Sequence, residues 1–93
     1  MADLYNVLIT YDIDSKHTNV RNSLINDYGF KEYVVSSNNN KCYLPNTTLY
    51  KSMTTKESCF QTLQNVCKDK EAILVRAISI KVTDWWALFG EPF

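Results

Sequence analysis

The sequence has little of what flexible or disulfide-linked proteins are built from. Its 93 residues include two Gly and two Pro, which excludes a disordered or linker-rich chain. The three Cys form no CxxC pair and there is a single His, so no zinc site is predicted. A run of eighteen apolar residues is absent, and the acidic first residues are unlike a signal peptide. We therefore expect a single domain over residues 1–93, reduced, cytoplasmic and without a membrane partner.

An excess of charge of either sign is also missing. Lys plus Arg and Asp plus Glu both total ten, so the formal net charge is zero. Proteins that bind nucleic acid non-specifically usually carry an excess of Lys and Arg, and this chain has none. A net charge near zero also removes a barrier to self-association. Hydrophobic residues make up 45% of the chain, which is enough for a packed core.

Hydrophobic periodicity predicts secondary-structure elements in the order βαββαβ. We expect strands over 4–13, 30–36, 47–53 and 72–83, and helices over 16–28 and 55–68. This order predicts a ferredoxin-like α+β sandwich, an antiparallel sheet with two helices on one face. The loop from Ser36 to Asn46 is long for a hairpin, which makes it a candidate for recognition contacts.

Capping residues mark the ends of both predicted helices. Asp14 or Ser15 is the expected N-cap of the first helix, because each offers a side-chain oxygen to unpaired backbone N–H groups. Gly29 is expected just after its last turn, where a positive φ favours glycine. Thr54 and Glu57 have the spacing of a capping box, which places Thr54 at the N-cap of the second helix.

Along the last strand region, the face that carries more apolar residues switches near Ala77. This change predicts a bend, a bulge or a break into two strands, and the second piece, 78–83, could pair with a second subunit. Residues 84–93 form a strongly apolar tail, which is expected at an interface. The predicted dimer contacts are Leu8, Ile80, Trp85, Trp86 and Phe89.

Asp12, at the end of the first strand, is the main candidate for chemistry. It shares a strand face with Leu8 and Thr10, and packing of that face against a symmetry mate would bring two Asp12 carboxylates together. Paired carboxylates and water suit Mg²⁺, which can activate water against a phosphodiester. The alternative is that Asp12 or Asp14 only caps the first helix. His17 is either a general base or a solvated side chain.

Other enzyme signatures are absent from the sequence. No Ser-His-Asp order, Walker loop, dinucleotide fingerprint or HExxH is present. Several tyrosines lie on or between predicted strands, where they either stack on bases or pack structurally. These are Tyr5, Tyr11, Tyr33, Tyr43 and Tyr50.

Two short segments carry a resemblance to a known family. The strand from Leu8 to Ile13, followed by a helix that closes at Tyr28 and Gly29, resembles the small CRISPR-associated Cas-two proteins and their relatives, virulence-associated protein D and the SinR-like proteins. The segment 82–87 is similar to the aromatic end of the SinR-like group. The resemblance implies a ferredoxin-like homodimer in which Asp12 of both chains faces across the two-fold axis.

The same resemblance implies a function in nucleic-acid handling. Some family members are metal-dependent nucleases, and others are non-catalytic subunits that bind nucleic acid. By resemblance, Asp12 is the catalytic and metal-binding residue of an Mg²⁺-dependent endonuclease acting on RNA or DNA. A competing hypothesis is a non-catalytic regulator or inhibitor that binds a protein partner through its sheet face and Trp-rich tail. A third is a relative in which Asp12 is purely structural.

Overall fold

Five strands and two helices make up residues 3–83, the part of the chain that the computed structural model describes. In chain order they are β1 (Tyr5–Ile13), α1 (His17–Tyr28), β2 (Tyr33–Val35), β3 (Lys41–Tyr43), β4 (Thr48–Thr54), α2 (Lys56–Asp69) and β5 (Leu74–Val82). The predicted α+β class is confirmed. Neither of the two helices in this part of the chain has the length and hydropathy needed to cross a membrane.

The central sheet is antiparallel, with its strands in the order β4-β1-β5. Period-two alternation along β1 sends one set of its side chains toward the helices and the other set away from them. We call these two sides of the sheet the inner face and the outer face. The inner set packs with buried residues of both helices in one hydrophobic core. From β1 this core takes Val7, Ile9, Tyr11 and Ile13.

A hairpin of β2 and β3 forms a second, smaller sheet. It contains a correction to the prediction, because the expected loop over 36–46 holds a tight turn and the strand β3. In the turn, the Ser36 N–H donates to the Asn40 carbonyl at 2.9 Å. The buried hairpin residues pack against Leu8 and Tyr50, so the hairpin covers part of the outer face.

The start of α1 differs from the prediction. The N-cap residue is Lys16, at φ 62°, and no side chain caps the helix. Asp14 does not cap because its Oδ1 atom accepts the backbone N–H of Ile73 at 2.8 Å. The C-terminal prediction is confirmed: Gly29 has φ 78° and donates its N–H to the Leu24 carbonyl.

The N-cap of α2 lies one residue later than predicted. The Thr55 hydroxyl accepts the Ser58 N–H at 3.1 Å, which satisfies one of the free donors of the first turn. Thr54 is buried at the end of β4 instead. A Thr hydroxyl caps the helix, but the predicted capping box of Thr54 and Glu57 is wrong, because the cap is Thr55 and the residue three positions later is Ser58.

β5 is one continuous strand, and its whole length pairs with β1. The register shifts where Ile13 opposes Leu74 and Asp12 opposes Arg76, which leaves Val75 as the extra residue of a bulge. The predicted bulge is thus present, two residues before Ala77. The predicted break into two strands is wrong, because residues 76–82 stay paired with β1 in the same chain.

Candidate functional site on the outer face of the sheet

The outer face brings the sequence-predicted residues of β1 next to β5. Leu8 lies opposite Ile80, and Asp12 lies opposite Arg76. Because both strands alternate with the same period, Thr10 and its partner Ile78 lie between these two pairs on the same face. The face is therefore apolar over most of its length and charged at the Asp12 end.

Part of this face is open to solvent. Leu8 is half-buried, because the β2–β3 hairpin packs against it. On β5, Ile78 is 53% exposed and Ile80 is 42% exposed. We call these two isoleucines the open patch. β-branched side chains on a sheet usually pack against neighbours that cover them, and these two are about half exposed. The open patch is therefore a candidate interface.

Asp12 lies at the edge of the open patch and is paired with Arg76. Its Oδ2 atom is 3.1 Å from Nε of Arg76, and the two side chains are 58% and 77% exposed. A shallow depression beside the pair is lined by residues of β1 and β5 that include Thr10 and Ile78. An exposed pair of this kind adds little stability, so Asp12 remains accessible to a competing cation.

Neither acidic residue at this end of β1 acts as the helix cap that we considered. Asp12 faces the outer side of the sheet, and α1 begins without a side-chain cap. Asp14 joins the end of β1 to the start of β5, because its carboxylate accepts the backbone N–H of Ile73. The same carboxylate also accepts a hydrogen bond from Ser15 at 3.0 Å. The Ile73 N–H is the main cause that lowers the pKa of the Asp14 carboxyl.

At the charged end of the outer face, a single copy supplies one carboxylate, that of Asp12, for a metal ion. Within residues 3–83 no three His, Cys, Asp or Glu side chains come together as a metal-ligating group. Mg²⁺ in proteins is often held by one or two carboxylates, with water and substrate phosphates completing the octahedron. Asp12 alone does not make a metal site, whereas Asp12 from two copies would fit that requirement.

His17 and the cysteines do not contribute an obvious catalytic group. The Nε2 atom of His17 lies 3.1 Å from the Ile13 carbonyl oxygen, which ties the ring to the end of β1. All three cysteines are buried free thiols. Burial raises the pKa of Cys59 and of Cys67, so these thiols are poor nucleophiles at neutral pH.

The tyrosines divide between the two layers of the structure. Tyr11 is buried in the inner core, where it cannot stack on a base. Tyr33 and Tyr43 form an edge-to-face pair within the hairpin, with their ring centroids 5.9 Å apart. Structural packing therefore accounts for these three side chains.

Sequence reasoning missed two arginines. Arg76 becomes the partner of Asp12 only through the β1–β5 register, which no local pattern reveals. Arg21 forms a short ion pair with Glu32, 2.6 Å between Nη2 and Oε2, and lines a polar pocket beside α1. The predicted contacts Trp85, Trp86 and Phe89, with the whole tail 84–93, lie outside the described residues.

Sequence comparison assigns no family to the chain. No family model matches it, and no curated protein is significantly similar to it in sequence.

Proposed function

We propose that the protein is a Cas-two-like homodimer that handles nucleic acid, with Asp12 of each copy facing its mate across the two-fold axis. The observation that carries this proposal is the open patch of Ile78 and Ile80, which lies on the same face as Asp12 and next to it. A second copy that covers this patch would also bring the two carboxylates toward each other.

A ferredoxin-like arrangement of the strands is part of this proposal. The order β4-β1-β5, with both helices packed on one core, is three-quarters of such a sheet. A single antiparallel bridge between Lys31 and Tyr50 places the chain just before β2 along the free side of β4. That bridge supports β2 as the fourth strand position, from which the chain turns away into the hairpin.

Symmetry favours the open patch as the dimer contact. In a two-fold dimer the same surface of each copy meets its mate, so an apolar stripe on one copy is matched by the same stripe on the other. Covering an isoleucine fully stabilises a structure by roughly 1.5–3 kcal/mol relative to leaving it in water. The zero net charge of the chain adds no long-range repulsion between copies.

The proposed chemistry belongs to the charged end of the face. Asp12 from the two copies would hold a Mg²⁺ ion, which when bound would lower the pKa of a coordinated water for attack on a phosphodiester. Arg76 already lies 3.1 Å from the Asp12 carboxylate. Once a cation replaces it there, its guanidinium is free to pair with a phosphate of the nucleic acid.

Cleavage assays test the catalytic part of the proposal. Purified protein is incubated with single- and double-stranded RNA and DNA, with Mg²⁺ or with EDTA. We expect Mg²⁺-dependent cleavage that Asp12→Asn abolishes. The matched control is Asp27→Asn, which removes the same charge from the exposed side of α1, where Asp27 accepts a hydrogen bond from Ser23. If wild type cuts none of the substrates, or if Asp12→Asn cuts as fast as wild type, the endonuclease proposal fails.

A non-catalytic interaction protein is the second candidate function, and the Asp12–Arg76 pair is the observation that favours it. A carboxylate already paired with a guanidinium is balanced in charge without any metal. If the protein is an interaction module, Asp12→Asn leaves binding of a protein partner intact, whereas Ile80→Lys or removal of residues 84–93 abolishes that binding. Opposite responses to Asp12→Asn thus separate the two candidates.

A further inference from the structure

A polar pocket lies beside the first turn of α1, on the inner side of β1. Its lining comes from the end of β1, from α1 and from the loop before β4. The residues are Tyr11, His17, Thr18, Arg21, Asn22, Asn46 and Thr47. Asp12 faces the opposite side of the same strand, so this pocket is separate from the outer-face site.

One buried hydrogen-bond donor of this pocket has no partner within residues 3–83. The Nη1 atom of Arg21 is buried and makes no hydrogen bond, although Nη2 of the same guanidinium is held by Glu32. Tyr11, which is 3% exposed, lines the pocket together with Arg21. A buried donor without an acceptor is costly, which indicates that something accepts from the Arg21 guanidinium.

The start of α1 adds further donors to the same place. Lys16 occupies the N-cap position in a left-handed conformation, and no side chain accepts from the first turn. The backbone N–H groups of His17 and Thr18, which follow, have no intrahelical partner at this end of a helix. The helix dipole contributes partial positive charge at the same end.

We propose that this pocket binds a phosphoryl group, whose oxygens accept from the Arg21 guanidinium, the Tyr11 hydroxyl and the first turn of α1. The Arg21 Nη1 atom and the Tyr11 hydroxyl both donate, so the occupant is rich in acceptors. A phosphoryl group offers at least three acceptor oxygens and a negative charge, which matches a guanidinium together with a helix N-terminus.

Local charge balance sets how the group is held. Glu32 neutralises Arg21, and Asp14 lies close enough to His17 to feel its charge, so the pocket has little net positive charge. Recognition of the phosphoryl group therefore depends on directed hydrogen bonds more than on the attraction of a net positive charge. Glu32 also fixes the guanidinium plane, which orients Nη1 before the ligand arrives.

The phosphoryl group has two possible sources, a free phosphate or phosphomonoester and a phosphate of a nucleic-acid strand. We would titrate ¹⁵N-labelled full-length protein with inorganic phosphate and follow the amide signals of His17, Thr18 and Thr47. Sodium chloride at matched ionic strength is the control. Parallel titrations with an oligonucleotide, with and without a 5′-phosphate, distinguish a terminal phosphate from the backbone.

We expect saturable shifts with phosphate that chloride does not reproduce. Arg21→Met should weaken binding by about tenfold or more, since it removes a hydrogen bond from a charged donor. Lys68→Met, which deletes a positive charge from the exposed last turn of α2, should bind phosphate as wild type does. Shifts that do not saturate, that chloride reproduces, or that survive unchanged in Arg21→Met overturn the proposal.

Arg21→Met also breaks the pair with Glu32, so a second variant is needed in case it does not fold. Tyr11→Phe keeps the buried ring and deletes only the hydroxyl. We expect it to fold and to bind phosphate several-fold more weakly than wild type. Unchanged binding by folded Tyr11→Phe, with Arg21→Met unfolded, would overturn the proposed ligand set. The result is independent of whether Asp12 is catalytic.

Discussion

The inner and outer faces of the central sheet differ in what covers them more than in what they are made of. On the inner face Val7 and Ile9 are fully buried by the two helices. On the outer face Ile78 and Ile80 have the same kind of branched side chain and remain about half exposed. Apolar content alone therefore does not tell which face of a sheet is the core.

β5 shows the difference most clearly. Its isoleucines lie on the outer face, whereas the buried large residues of β1 lie on the inner face. Ala77 and Ser79 oppose the buried Tyr11 and Ile9 on the inner face. The Ser79 hydroxyl donates to the Lys56 carbonyl of α2 at 2.8 Å, so a small polar residue suits that position. With the bulky side chains turned outward, β5 is suited to a second layer on the outer face, which is the basis for the proposed dimer.

Truncation of one isoleucine on each face should have the largest and most unequal effect on stability. Ile9→Ala removes buried methyl groups and leaves a cavity, so we expect a loss of about 2–5 kcal/mol in the free energy of unfolding. Ile80→Ala should cost less in a dilute sample, and its cost should grow with protein concentration if a second copy covers it. Urea denaturation at two concentrations measures both; equal losses in the two variants would contradict the distinction between the faces.

The two ion pairs offer a smaller contrast between a covered and an open site. Arg21 and Glu32 are 15% and 31% exposed, whereas Arg76 and Asp12 are mostly in solvent. We expect Arg21→Met to cost about 1–3 kcal/mol, because the Glu32 carboxylate loses its partner in a partly buried place. Arg76→Met should cost about 0–1 kcal/mol. Thermal unfolding of both variants measures these losses of stability. A larger loss for Arg76→Met than for Arg21→Met would contradict the assignment of the Arg21–Glu32 pair as the covered site and the Arg76–Asp12 pair as the open one.

The pH dependence of stability should report on the inner face through Tyr11. Burial raises the pKa of Tyr11 to about 12, against an unfolded value near 10, and the nearby Arg21 opposes this shift. The folded state therefore holds the proton more tightly. The contribution of Tyr11 to stability is complete below pH 10 and is lost as the pH rises toward 12.

Absorbance of tyrosinate near 295 nm follows this titration directly. Tyr11→Phe should remove one late-titrating tyrosine from the curve and flatten the decline of stability between pH 10 and 12. If the component lost in Tyr11→Phe titrates near pH 10 with the other tyrosines, Tyr11 is not held in a buried site.

Local sequence patterns predicted the inner face well. Period-two alternation in the sequence puts Val7, Ile9, Tyr11 and Ile13 on the side of the first strand opposite Asp12, and all four are buried. Gly29 marked the end of α1 because its need for a positive φ is a property of one residue. These features depend on neighbours in the chain, which a sequence displays.

Features that depend on distant residues were not predicted. Asp14 has the chemistry of a cap, but its carboxylate is taken by the N–H of Ile73, 59 residues away in the chain. β3 has only three residues, too few for a period to be seen, and forms because it pairs with β2. The Asp12–Arg76 pair needs the register of β1 against β5. Each of these features depends on pairing between residues that are far apart in the chain or in different strands.

Light scattering coupled to size exclusion tests the proposed dimer, because it gives the number of copies in solution. One chain has a mass of 10.8 kDa, and we expect twice that mass for wild type. Ile80→Lys should lower the mass to that of one chain, since a charge in the centre of the contact is costly to bury. Ile73→Lys, a control at an exposed isoleucine just before β5, should keep the doubled mass. A wild-type mass of one chain at high concentration would show that the protein is a monomer, and a doubled mass in Ile80→Lys would show that the open patch is not the dimer contact.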